Sequence, residues 1–170
     1  MSILTLHGLL KGETVAFHTY EAYKDYLKDS RIIVFISGSR SENLFHGLYE
    51  LHSHNVRDWF DMLKQYKALK REERAAVRWL MDTASGYHNM TEALKLAPTV
   101  KVYNGREIDY VIHFVDETFN MAHKLGHLVK YFDYSAYCFD LQLQRKIDKV
   151  HFENCCYTIT NADKFNVWEK

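Results

Sequence analysis

The spacing of hydrophobic positions changes character along the chain. Residues 3–6, 14–18 and 32–36 are short apolar runs, and Ile32, Ile33, Val34, Phe35 and Ile36 are followed by Ser37, Gly38 and Ser39. Branched and aromatic runs of that length predict strands, because such side chains suit a pleated surface. Between the second and third runs, Tyr20, Tyr23 and Leu27 recur at helical spacing and predict a short helix ending near Ser30. From residue 56 the helical period takes over. Trp59, Met62, Leu63 and Tyr66 fall at i, i+3, i+4 and i+7, and Ala76, Trp79, Leu80 and Thr83 repeat the spacing. Met90, Ala93, Leu94 and Ala97 make a third stripe. Each set lies on one face of a helix. Gly86 is placed to stop the second helix, Asn89 with Glu92 to open the third, and Pro98 to end it.

The last third mixes both periods. Val100, Val102 and Tyr103 predict a short strand before a turn at Asn104 and Gly105. Ile108, Val111, Ile112, Val115 and Phe119 trace a long helix face, with Asp109, Asp116 and Glu117 off it. Asp133 is placed to cap a second helix carrying Tyr134, Tyr137, Cys138 and Leu141 on one side. Residues 150–159 predict a final strand. The expected class is α+β, in three modules. Residues 1–55 form a small N-terminal α/β module and residues 56–98 a short-helix bundle. Residues 99–170 form a C-terminal α+β module with a small antiparallel sheet.

Composition narrows the function classes. At 170 residues, 47% hydrophobic and 15% aromatic, the chain can bury a core and is no disordered tail. Twelve tyrosines and three tryptophans suit wide protein contacts as well as cores. Charge is balanced, 22 basic against 22 acidic residues, which speaks against a basic nucleic-acid binder. The one basic stripe, Lys64, Lys67, Lys70, Arg71, Arg74 and Arg78, is broken by Glu72 and Glu73 and reads as a solvated helix face. Three cysteines, two of them adjacent, make a poor disulfide framework and read as structural thiols of a cytoplasmic protein. No apolar run approaches the roughly 18 residues of a membrane span.

Chemistry-bearing motifs are sparse. His52 and His54 form one histidine pair, and His123 and His127, four apart, could share a helix face. Neither pair has further ligands at zinc-site spacing. Cys155 and Cys156 lack the C-x-x-C spacing of redox pairs, and a cysteine nucleophile needs a partnered histidine that the sequence does not single out. Ser37, Gly38 and Ser39 follow a strand but lack a phosphate-loop pattern. Glu72 with Glu73, and Asp116 with Glu117, are adjacent pairs expected in solvent, where acid–base work is poorly served. The expectation is a non-enzyme with no catalytic residues, no metal site and no cofactor.

One stretch resembles a known family. Tyr131, Phe132, Asp133, Tyr134, Ala136, Tyr137, Asp140 and Leu141 follow the signature run of ArdA-type antirestriction proteins, with Ser135 in place of the family's Glu and Phe139 in place of its Arg. The run from Leu69 through Trp79 and Leu80, then Gly86, then Glu92, Ala93 and Leu94, is similar to that family's helical middle. Val102, Tyr103, Asn104 and Gly105 resemble the strand and turn that follow. The likeness spans roughly residues 56–160. It implies an elongated, dimeric, non-enzymatic protein of a phage or mobile element. Such a protein occupies the DNA groove of a Type I restriction–modification complex by imitating DNA, without contacting nucleic acid or membrane itself. Target-binding candidates are then Asp109, Asp116, Glu117, Asp133 and Asp140, while Tyr131, Tyr134, Tyr137 and Leu141 serve the core or a homodimer contact. The chain departs from the family's strong acidity. A neutral, Tyr-rich surface instead suits another defence protein, such as a CRISPR nuclease, bound by shape and aromatic anchors.

Overall fold

The computed structural model describes residues 5–10, 13–27, 33–37, 56–82 and 90–165. The chain divides into two compact units, Met1–Leu69 and Lys70–Lys170, and each combines helices with a three-stranded antiparallel sheet. The class is α+β. The division falls between two of the helices that the periodicity groups together.

In the first unit, strands β1 (Thr5–Leu10), β2 (Glu13–Phe17) and β3 (Ile33–Ser37) pair in the order β2-β1-β3. Of the expected first run, residues 5 and 6 are in β1 and residues 3 and 4 lie outside the described residues; the strand extends through Gly8, which pairs with both Val15 and Val34. Helix α1 (Tyr20–Leu27) opens where the Thr19 hydroxyl accepts the Ala22 N–H at 3.2 Å. Tyr23 is buried and meets the Phe17 ring edge-on at 5.6 Å, which fixes α1 against β2. Helix α2 (Val56–Ala68) buries Trp59, Met62, Leu63 and Tyr66, the stripe its sequence predicts. The turn expected at Gly38, and the pair His52 and His54, lie outside the described residues.

The second unit is built on the sheet β4-β6-β5: β4 (Val102–Asn104), β5 (Asp148–Phe152) and β6 (Cys155–Ile159). Helix α3 (Arg71–Met81) covers one face. Its Ala75 and Ala76 are fully buried, and their small side chains let the helix approach the strands closely. Glu73 reaches back to accept the Lys70 N–H at 2.7 Å, satisfying a donor that a helix start otherwise leaves open. Helix α4 (Met90–Leu96) packs on α3 and runs into a 3-10 turn, Ala97–Thr99, that contains Pro98. Of the three helices that the periodicity groups together, α2 belongs to the first unit, while α3 and α4 pack on each other in the second. Thr83, Gly86 and Asn89 lie outside the described residues.

Across the other face run α5 (Glu107–Phe119) and α7 (Tyr134–Leu143), joined by α6 (Met121–Leu125) and a 3-10 stretch, Gly126–Tyr131. Asn120, in the left-handed region at φ 48°, ends α5. Val111, Val115, Cys138, Leu141 and Ile147 form the buried centre of this layer. The strand expected over residues 150–159 is a hairpin instead. Glu153 and Asn154 both take positive φ, 48° and 62°, and make the two-residue turn that suits the twist of paired strands. Among the described residues, no helix is long and apolar enough to cross a membrane.

Candidate functional site

Helices α5 and α7 lie antiparallel, clamped by a side-chain bond at each end. Gln142 Nε2 donates to Glu107 Oε1 at 2.7 Å, joining the end of α7 to the start of α5. The Tyr134 hydroxyl donates to Asp116 Oδ1 at 3.0 Å, joining the start of α7 to the end of α5. Partial desolvation, then the Asp116 carboxylate, hold the Tyr134 phenol above its ordinary range. Asp133 caps α7, its Oδ1 accepting the Ala136 N–H at 2.9 Å.

The sequence-named residues separate into different local roles. Asp116, Glu117 and Asp133 come together at one end of this helix pair, while Asp109 is at the other. Asp109 is engaged by Arg106 through bonds of 2.9 Å to each carboxylate oxygen, and that guanidinium holds the carboxyl below the usual range. Glu117 lies 3.3 Å from His113, one turn away. Asp140 is exposed on α7. Tyr134 and Tyr137 are half-buried against the layer's core and Leu141 is buried within it, but Tyr131 is 73% exposed and has no place in the core. Its only described ring partner is the Lys130 ammonium, 5.0 Å from the centroid.

What the periodicity does not disclose is the outer side of the layer. Among the described residues, the large apolar side chains left open to solvent are Ile112, Phe119, Leu125, Leu128, Tyr131, Phe139 and Leu143, all between positions 112 and 143. Phe139 (59% exposed) and Leu143 (66%) are four apart and share one face of α7, away from buried Cys138 and Leu141. Ile112 and Phe119 belong to the predicted apolar face of α5, yet only Val111 and Val115 in its centre are covered completely. Beside them, Phe119, Met121, Lys124, Phe132 and Tyr137 line an open hollow of about 380 Å³. A hollow of that size, apolar apart from one lysine at its wall, can seat one large side chain of a partner.

His123 and His127 do not share a helix face, since α6 ends at Leu125. Among the described residues, no three histidine, cysteine or carboxylate side chains are grouped to hold a metal. In the basic stripe, Arg71 bridges to Glu153 at 3.1 Å, while Lys64, Lys67, Lys70 and Arg78 are exposed. Set beside protein-family models, curated proteins and solved structures, the chain matches none.

Proposed function

We propose that this chain is a non-enzymatic binding protein that inhibits a bacterial DNA-targeting defence complex, docking through the outer side of the α5–α7 layer. The observation that carries the docking surface is that, among the described residues, the exposed large apolar side chains are confined to positions 112–143. Clustered apolar exposure on a folded chain marks a surface that meets another macromolecule. The identity of the partner rests on the resemblance of residues 131–141 to the antirestriction signature, a run within the same layer. The mode of binding is shape and apolar anchoring, with Tyr131, Phe139 and Leu143 as anchors.

DNA mimicry is the second reading, and the five acids motivate it. Two features weigh against it as the main source of affinity. The chain has no net charge, and Asp109 is already neutralised by Arg106. Asp116, Glu117 and Asp140 then serve to steer the encounter rather than to replace phosphates.

The test is inhibition of DNA cleavage by a purified Type I restriction–modification complex, and in parallel by a CRISPR nuclease, at low and moderate salt. Inhibition of either that persists as salt rises supports the proposal. Inhibition that collapses with salt supports mimicry, and no inhibition of either enzyme removes the defence reading.

A further inference from the structure

The hairpin brings together a pair that sequence spacing cannot. The two-residue turn makes Phe152 and Cys155 the hydrogen-bonded closing pair, so the next pair, His151 and Cys156, is a non-hydrogen-bonded one. Side chains at such positions stand on the same face with Cβ atoms about 4.5–5.5 Å apart. His151 and Cys156 both line an open pocket of about 650 Å³ between this face of the sheet, the start of α5 and α7. Arg106, Lys149 and the largely exposed Phe139 line it too. Among the described residues, no ion pair joins Lys149 or His151 to a carboxylate. The only acid lining the pocket, Glu107, is bonded to Gln142.

The other two thiols are placed differently. Cys155 points to the opposite face, where its sulfur accepts from Arg71 Nη2 at 3.3 Å. Cys138 lines the same pocket but is buried, and that burial pushes its thiol up.

We propose that Cys156 is a modification site for small anionic disulfides, with His151 as its proton acceptor and Lys149 as the charge that draws the reagent in. The Cys156 sulfur attacks one sulfur of the disulfide. That S–S bond breaks, a new one forms to Cys156, and the second half departs as a thiolate. Cys156 is oxidised, the departing sulfur is reduced, and the thiol proton passes to the imidazole.

The experiment treats the full chain with dithiobis(nitrobenzoate), a dianionic aromatic disulfide, and separately with cystamine, a dicationic one. Adducts are located by peptide mass spectrometry at early times. The anionic reagent is expected to modify Cys156 first, about tenfold faster than cystamine does, as electrostatic attraction raises encounter rates. Lys149→Gln is expected to narrow that ratio by slowing only the anionic reagent, whereas His151→Gln slows both. First modification at Cys155 or Cys138 in the unsubstituted chain would overturn the proposal. So would equal rates with the two reagents, or a rate indifferent to His151→Gln in a variant that keeps its melting temperature.

Discussion

The indole N–H of Trp79 donates to Asp148 Oδ2 at 2.8 Å, joining the last turn of α3 to the first residue of an edge strand. The other oxygen of Asp148 accepts the Lys149 N–H at 2.8 Å, and the Trp79 ring meets Phe165 edge-on at 5.9 Å. One carboxylate thus orients both the strand and the largest side chain beneath it. Asp148→Ala is expected to cost about 1.5–3 kcal/mol, the range for hydrogen bonds to charged groups. Urea unfolding followed by tryptophan fluorescence measures this. A midpoint unchanged by the substitution would show that the bond contributes nothing net.

Asp133 is a helix cap by geometry, and capping and target binding predict different rescues. Asp133→Ala is expected to lose about 1 kcal/mol of stability, and Asp133→Ser to recover most of it, because a serine oxygen caps nearly as well. If the serine variant regained stability but not inhibition, the carboxylate would be a target contact as well.

Reversing charge at Asp109, Asp116 and Glu117 together separates shape from mimicry. Inhibition is expected to fall only modestly, with the loss in association rate. Binding by phosphate-like contacts would instead lose about 10³–10⁵ in affinity between 50 and 200 mM salt, and it would be abolished by the triple reversal. Association and dissociation rates measured against salt distinguish the two.

Alkaline pH should weaken the fold. Burial raises the phenols of Tyr23, Tyr110 and Tyr157 and the thiol of Cys138 above their ordinary values. The unfolded chain releases these protons first, so their linkage penalty is absent below the unfolded values. Stability then falls as pH rises from about 8.5 for the thiol and about 10 for the phenols. Denaturation at pH 8 and at pH 10.5, with tyrosinate absorbance recorded in parallel, should show the midpoint falling before the buried phenols ionise.

Where local chemistry decides, the sequence is informative. Asp133 starts α7 because a carboxylate can accept backbone N–H groups there, and Trp59, Met62, Leu63 and Tyr66 pack as one stripe because the helical repeat aligns them. Where pairing decides, it is not. The turn at Glu153 and Asn154 escapes notice because glutamate is uncommon at positive φ, so an apolar stretch reads as one strand. The cross-strand meeting of His151 with Cys156 depends on that turn. The candidate surface was half legible: the signature run marks its region, but a helical stripe does not say whether Ile112, Phe119 or Tyr131 will be covered.

The docking surface is tested most directly by plating unmodified phage on cells with a Type I restriction system. Those cells express either this chain or its Tyr131→Ala, Phe139→Ala double variant. Each anchor is expected to be worth about 2 kcal/mol of binding, while its loss from solvent changes stability by about 0.5 kcal/mol or less. The expected result is that the unsubstituted chain restores plating and the equally abundant variant does not. Restoration undiminished in the variant would contradict the surface, and no restoration by the expressed, folded chain would contradict restriction as its target.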